Sequence, residues 1–262
     1  MDKYNDGLHI KYIRYIAGLT AARNMGIREC KGDVILFLDD DVVLDREYIY
    51  NILSTFDIYG KDIGAVSGNI VSDEIRCNRS VNLAKYSIYT KTRNLIFNMF
   101  FLSAWGNGKF QPSGFPTFPI GKKKTLFIEC CQGANMAFRK EVLDNFKFDE
   151  NLKGYCFMED SDISYRIAQK YKIVYTPYAK LWHNVSVTSR DSDYGRMKMY
   201  VENHYYLFNK NFPQKFYNKF AFWISIIGLF IITVLELKTG GLHGLFNGLK
   251  TTMSKRKGIV LS

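Results

Sequence analysis

Three consecutive aspartates follow an apolar run, and this feature limits most strongly what the chain can fold into. The run Val34–Leu38 leads directly into Asp39-Asp40-Asp41. A continuous apolar run of this length is typical of a strand that is covered on both faces. Carboxylates this close together repel one another unless a cation or hydrogen bonds hold them, and a divalent cation with oxygen ligands is a common solution. Because ligands of open α/β sheets bind beyond the carboxyl ends of strands, the sequence predicts an α/β fold with a metal site at that edge.

The composition fits a chain with one sizeable hydrophobic core. Of the 262 residues, 47% are hydrophobic, which is sufficient for one domain with an appendage. The five cysteines form no Cys-x-x-Cys pair, and we expect all five to be reduced thiols in a cytoplasmic setting. The first residues are polar and show no apolar segment of the kind that marks a signal peptide.

The positive charge of the chain is concentrated in its last quarter. The net charge is +11, and residues 190–262 contribute +7 of it, with 11 Lys and Arg against 4 Asp and Glu. Nucleic acid is one partner for such a basic segment, and an anionic membrane surface is another. The basic residues flank an apolar segment, so we favour the membrane and expect no nucleic-acid partner.

Residues 220–235 form an uncharged apolar segment within this basic tail. A helix of 16 residues spans about 24 Å, somewhat less than the ~30 Å hydrocarbon core of a bilayer. A single span, a helix embedded in one leaflet and a buried core helix are all compatible with it. We divide the chain into a partial α/β domain (1–190), an amphipathic linker (191–219), a membrane-embedded helix (220–237) and a basic interfacial tail (238–262).

Strands and helices alternate along the first part of the chain, which predicts a parallel or mixed sheet flanked by helices. We predict strands at 9–16, 34–38, 64–71, 125–131, 172–176 and 179–185, and helices at 19–30, 45–56, 139–145 and 159–171. Pro177 is expected to end the strand before it, because proline lacks the N–H that a ladder needs. The Gly-, Pro- and Lys-rich residues 106–124 indicate a long mobile loop.

Two acidic clusters are the first candidates for chemistry. In an extended chain Asp39 and Asp41 point the same way and Asp40 points away, so that two carboxylates can share a divalent ion. A solvated acidic turn that caps the next helix is the alternative. The second cluster, residues 159–162 (Glu-Asp-Ser-Asp), begins a predicted helix. Acidic residues there complement the helix dipole, but beside a metal site they can also supply a general base.

Two further candidates are weaker on their own. A single histidine such as His183 is more often structural than a ligand. Arg23, with Asn24 beside it, can face a phosphate, or can be a surface arginine near the end of a helix.

Taken together, these segments resemble the family 2 glycosyltransferases. Residues 22–27 (Ala-Arg-Asn-Met-Gly-Ile), 31–33 (Lys-Gly-Asp) and 36–41 (Leu-Phe-Leu-Asp-Asp-Asp) resemble the middle of such an enzyme. Residues 133–139 (Gly-Ala-Asn-Met-Ala-Phe-Arg) resemble its acceptor-side segment, and residues 148–150, 159–166, Pro177 and His183 follow in the family's order. The resemblance covers roughly residues 16–210.

The resemblance implies a GT-A-like, Rossmann-like mixed sheet and transfer of a sugar, usually with inversion, from a UDP-, GDP- or dTDP-linked donor. Asp39 and Asp41 match the pair that holds Mg²⁺ or Mn²⁺ on the donor diphosphate, and His183 matches a histidine that joins the metal in some members. Asp160 matches the catalytic base, with Glu159 beside it. The family's residues near the nucleotide correspond in this sequence to Arg23, Asn24, Asp39 and Asp40.

Other expectations concern the acceptor and the surroundings of the enzyme. The Gln-x-x-Arg-Trp motif of processive members is absent from the sequence, so single additions are expected. The basic, apolar tail fits a lipid-linked or cell-envelope glycan acceptor, at a cell membrane with the catalytic domain on the cytoplasmic side.

The family pattern also begins earlier than this chain does. Two βα units normally precede Gly18, so we expect an N-terminally shortened member with an unpaired sheet edge. A non-catalytic membrane-bound remnant is therefore one alternative. A phosphatase of the haloacid-dehalogenase type is another, in which Asp39 would be the nucleophile, Asp41 the acid/base, and Asp160 and Asp162 ligands of Mg²⁺.

Overall fold

The computed structural model describes residues 9–14, 18–71, 95, 97–103, 106–119, 121–153, 156–184, 192–235 and 238–259. The strands among the described residues are β1 (Val34–Leu38), β2 (Val42–Leu44), β3 (Ile63–Val71), β4 (Leu126–Ile128), β5 (Asn135–Arg139) and β6 (Lys172–His183). The α-helices are α1 (Leu19–Glu29), α2 (Tyr48–Tyr59), α3 (Lys140–Asn145), α4 (Glu159–Ala168), α5 (Asp193–Asn211), α6 (Phe216–Leu235) and α7 (Thr239–Ile259).

The described strands form one mixed sheet. Their order is β1-β5-β3-β6-β2, and β4 pairs with β6 beside this path. β3 and β6 run parallel, whereas the other pairs are antiparallel. The predicted mixed sheet flanked by helices is confirmed, and β1 has the predicted bounds.

Each face of the sheet is covered by helices, as the apolar strands require. Side chains alternate between faces along a strand, so Met136 and Phe138 of β5 join one cluster and Ala137 joins the other. The first cluster includes residues of α1, α3 and α4, and the second includes residues of α2. Burial on both faces explains why β1 reads as a continuous apolar run. Cys30, Cys130 and Cys131 carry free thiols, and Cys77 lies outside the described residues.

The three C-terminal helices share a further core. Val201 of α5, Phe222 and Leu229 of α6, and Leu245 of α7 are buried together. Phe115 belongs to the same cluster, which joins these helices to the loop before β4. α6 and α7 therefore pack against the rest of the described protein through an apolar contact.

Two predictions about local structure were wrong. Pro177 does not end a strand, because β6 runs through it. Its pairing with β3 is interrupted between Ser67 and Asn69, and such an irregularity accommodates a proline. Residues 106–119 lie in a loop, as predicted, in which the N–H of Gly106 donates to Phe118 O, and the mobility of this loop stays a prediction. The strand predicted at 9–16 is absent from residues 9–14, which have no regular secondary structure, while residues 15 and 16 lie outside the described residues.

Candidate functional site

Strand pairing brings the first acidic cluster to His183. The chain turns through Asp39, Asp40 and Asp41 into β2, where Val42 lies opposite His183 of β6. As a result, His183 Nε2 is 2.9 Å from Asp41 Oδ1 and 3.8 Å from Asp39 Oδ2. One ligand-type atom from each of Asp39, Asp41 and His183 lies within 4.8 Å of the others. These three side chains could hold one divalent cation.

The chemistry of this group fits such a cation. Asp41 Oδ1 is buried and has no hydrogen-bond partner among the described residues, since its approach to His183 lacks hydrogen-bond geometry. A buried carboxylate oxygen without a partner is costly, and a cation would satisfy it. Carboxylate oxygens suit Mg²⁺ and Mn²⁺, and an imidazole suits the transition metals better than Mg²⁺.

The second acidic cluster begins helix α4 through an unusual backbone. Met158 precedes the helix with φ 71°, and Cys156 has φ 50°. Both values fall in the left-handed region that side chains other than glycine rarely adopt, and such residues are concentrated at functional sites. The conformation places Glu159 and Asp160 in the first turn of α4, facing the loop that precedes β5.

Asp160 is held by three donors. The N–H of Gly133 donates to its Oδ2 at 2.9 Å, and the N–H and hydroxyl of Ser161 donate to its Oδ1 at 2.7 and 3.2 Å. Burial raises the pKa of Asp160, while the Ser161 N–H, the Arg23 charge and the Gly133 N–H oppose the rise. A carboxylate that is fixed in place and has a raised pKa suits proton transfer near neutral pH.

Arg23 connects the two acidic clusters. Its Nη1 donates to Glu159 Oε1 at 2.7 Å, its Nη2 donates to Gly133 O at 3.3 Å, and Nη2 also lies 3.9 Å from Asp39 Oδ1. The guanidinium stacks over the ring of Phe148, 5.3 Å from its centre. Burial and then the charge of Asp160 raise the pKa of Glu159 to about 8 in spite of Arg23.

One cleft of about 960 Å³ is lined by residues 39–41 of the first cluster and by residues 159–161 of the second. Among the predicted site residues, those that line it are Arg23, Asp39, Asp40, Asp41, Glu159, Asp160 and His183. Asn24 is not one of the lining residues. Its side chain is buried and engaged with the backbone of Phe148 and with Glu150, which fixes the segment after α3.

Sequence reasoning missed several residues of the cleft. Gly133 both donates to Asp160 and leaves space beside it, since a Cβ there would lie 3.4 Å from Asp160 Oδ2 and from Glu159 Oε1. Phe157, Phe118 and Tyr200 form aromatic walls. Tyr200 lies on α5, and no local signal indicates that this helix reaches the cleft.

Comparison with solved structures finds distant likenesses. The structure of GalNAc-T7 with UDP, GalNAc and Mn²⁺ is 15% identical in sequence with a TM-score of 0.48. The match covers 74% of this chain and 34% of that one. The mannosyltransferase PcManGT from Pyrobaculum calidifontis with GDP-Man and Mn²⁺ is 14% identical with a TM-score of 0.47. The match covers 90% of this chain and 66% of that one. Residues 1–349 of S. aureus TarS are 13% identical with a TM-score of 0.47, and the match covers 88% of this chain and 58% of that one. The chain thus spans about one third to two thirds of the length of these proteins.

A comparison with curated proteins found no match. The family model described as glycosyl transferase family 2 matches residues 1–146, which is more than half of the chain. The matched region includes α1, the Asp39–Asp41 turn and β5, and so carries the candidate metal group apart from His183. The chain therefore belongs to glycosyl transferase family 2.

Proposed function

We propose that this protein transfers a sugar, with inversion, from a nucleotide-sugar to an acceptor hydroxyl. The observation that carries the proposal is the convergence of two acidic clusters, residues 39–41 and 159–160, on one cleft. These clusters lie far apart in the sequence, and a solvated acidic turn or a helix cap would not require them to meet. Family membership supports the class of reaction.

Asp39, Asp41 and His183 are the residues that would hold Mg²⁺ or Mn²⁺. The cation would neutralise the negative charge that develops on the departing diphosphate. Arg23 keeps Asp39 and Glu159 in place and presents positive charge to the same side of the cleft. The exposed Asp40 lies at the cleft edge, where it is proposed to contact the donor nucleotide.

Asp160 is proposed as the base that accepts the proton of the acceptor hydroxyl. Gly133 and Ser161 fix its carboxylate, so that little reorientation is needed when the acceptor binds. Inversion requires the base and the leaving group to lie on opposite sides of the sugar. Asp160 and the Asp39–Asp41–His183 group line the same cleft, as this arrangement requires.

A lipid-linked or cell-envelope glycan is the proposed acceptor, at a membrane whose cytoplasmic side carries the cleft. The support is the C-terminal segment, since α6 is long and apolar enough to cross a membrane by length and composition. The basic residues beside α6 favour an anionic surface.

Two substitutions separate donor binding from chemistry. We expect Asp41→Asn to abolish the Mn²⁺-dependent part of UDP or GDP binding in isothermal titration. Asp160→Asn should retain that binding and lower the rate of sugar transfer by at least about 100-fold. Asp33→Asn, an exposed change before the opposite end of β1, is the matched control and should alter neither.

The outcomes also distinguish the alternatives. Transfer that survives in Asp160→Asn would show that the base is another group. Failure of the well-folded protein to bind UDP, GDP and Mn²⁺ would instead support a non-catalytic role. The phosphatase alternative needs Asp162 as a metal ligand, but its oxygens accept from Arg166, Lys210 and Asn211 and it does not line the cleft.

A further inference from the structure

Helix α6 carries a continuous exposed stripe of apolar side chains. The members recur every three or four residues along five turns and are between 38% and 86% exposed: Phe216, Phe220, Trp223, Ile227, Phe230 and Val234. Surface helices of soluble proteins place charged or polar residues on this face. Lys219, in the first turn, is the only charged residue of the helix. A large uninterrupted apolar surface of this kind indicates an interaction site.

The opposite face of α6 is packed against protein. Phe222, Ile226 and Leu229 belong to the core that α6 shares with α5 and α7. At Gly228 the segment before Ser103 crosses so closely that a Cβ would lie 2.4 Å from the Cβ of Phe100. Lipid can therefore reach α6 from one side only.

The neighbouring helix α5 excludes a transmembrane position for this arrangement. His204, Tyr205 and Phe208 of α5 contact the ring of Phe222. The same helix carries five charged residues: Asp193, Arg196, Lys198, Glu202 and Lys210. If α6 crossed a bilayer with this packing intact, α5 would bring these charges into the hydrocarbon, where charged side chains are strongly disfavoured.

Positive charge borders the apolar stripe. Residues 212–262 contain seven Lys and Arg and one acidic residue. Lys215 and Lys219 lie at the start of α6, and both are exposed. Phe230 contacts Phe246 of α7 edge to face, with ring centres 5.9 Å apart, so that the apolar surface continues onto α7 beside the exposed Lys250. Apolar side chains bordered by lysines suit a lipid surface with anionic head groups.

We propose that α6 lies in the plane of an anionic membrane surface, with its exposed stripe inserted into one leaflet. The protein would then sit on the membrane without crossing it. This membrane contact rests on the proposed function, which places the acceptor at a membrane. Its test measures lipid binding without sugar transfer, so a failure of either proposal is recognised separately.

Vesicle partitioning tests the surface. The full chain is expected to bind vesicles of phosphatidylcholine with phosphatidylglycerol, and Phe220→Asp with Ile227→Asp should weaken this by at least about tenfold. Lys219→Gln should weaken it by about fivefold, and only when phosphatidylglycerol is present. Ile58→Asp is the matched control, because Ile58 is an apolar residue of α2 that is 76% exposed. Circular dichroism checks that each variant is folded.

Insertion depth distinguishes the in-plane position from a span. The three native tryptophans, Trp105, Trp182 and Trp223, are first changed to Phe. A single tryptophan is then placed at position 220, 227 or 234, and quenching of its fluorescence by brominated lipids measures its depth in the bilayer. Equal depths at the three positions are expected. A centre much deeper than the two ends would show a span and overturn the proposal. Absence of vesicle binding, or a dimer in light scattering that buries the stripe and excludes lipid, would overturn it as well.

Discussion

Glu159 is a residue whose ionisation depends on the folded state. Its pKa is raised from 4.5 to about 8 by burial and by the charge of Asp160, although it is paired with Arg23. Between these two pH values the folded protein therefore binds more protons at this site than the unfolded chain does. The contribution of Glu159 to stability is present below about pH 4.5 and is lost as the pH rises toward 8.

Glu159→Gln tests this directly. The glutamine can still accept from Arg23 but cannot ionise. We expect the parent protein to lose stability relative to Glu159→Gln as the pH rises from 5 to about 8. The quantity compared is the free energy of unfolding of the parent minus that of the variant. Urea unfolding at several pH values measures this difference. A difference that grows with pH would mean that the charged pair with Arg23 stabilises the fold more than burial destabilises it.

At the scale of elements, the contact between α5 and α7 depends on glycines spaced four residues apart. A Cβ on Gly244 would lie 2.3 Å from the carbonyl oxygen of Tyr194, and one on Gly248 would lie 3.0 Å from that of Lys198. The two helix backbones are therefore close enough to exclude a methyl group. The segment that begins at Thr239 is a helix of 21 residues that packs on α5.

Gly244→Ala and Gly240→Ala make a matched pair. Alanine favours a helix over glycine by about 1 kcal/mol, so both changes would be stabilising if only local preference counted. At position 244 the methyl group collides with backbone, and we expect destabilisation by about 1–3 kcal/mol. At position 240 the nearest atom is 3.6 Å away, and we expect no loss. Thermal unfolding of both variants measures this, and equal effects would contradict the close packing.

At the scale of the whole molecule, α5 joins α6 and α7 to the cleft. Tyr200 lines the cleft, and Lys210 near the end of the helix pairs with Asp149 and with the fully buried Asp162 of α4. Burial raises the pKa of Asp149, but Lys210, the N–H of Asn151 and the Tyr206 hydroxyl outweigh it and lower the pKa to about 2. The stability from Asp149 is thus present above about pH 4 and is lost as the pH falls toward 2.

Lys210→Met should therefore destabilise the whole protein in a pH-dependent way. Removing Lys210 takes the cation from Asp149 and leaves Asp162 with Arg166 and Asn211, and we expect a loss of about 2 kcal/mol at pH 7 that shrinks toward pH 2. Lys198→Met on the same helix, which breaks a more exposed pair with Glu202, should cost no more than about 1 kcal/mol. Denaturant unfolding followed by far-UV circular dichroism measures both. An equal loss in the two variants would argue against the coupling through Lys210.

Much of the fold was readable from local pattern. The apolar run Val34–Leu38 specified β1, and the alternation of strands and helices specified the mixed sheet with helices on both faces. In the candidate site, the two acidic clusters and His183 were recognisable by residue type and order. The predictions of β1 and of the mixed sheet succeeded because the period of apolar residues is a property of short segments.

The packing of distant segments determined the rest. β6 continues through Pro177 because β3 pairs with it on both sides of an irregularity, and the pairing of β2 with β6 brings His183 to Asp41. The access of Tyr200 to the cleft and the one-sided burial of α6 likewise depend on how α5 packs. The sequence alone determined which segments are strands, helices and acidic turns, because those preferences act within a few residues. Only the tertiary structure decided which of them meet, because register and helix packing depend on contacts between residues far apart in the chain.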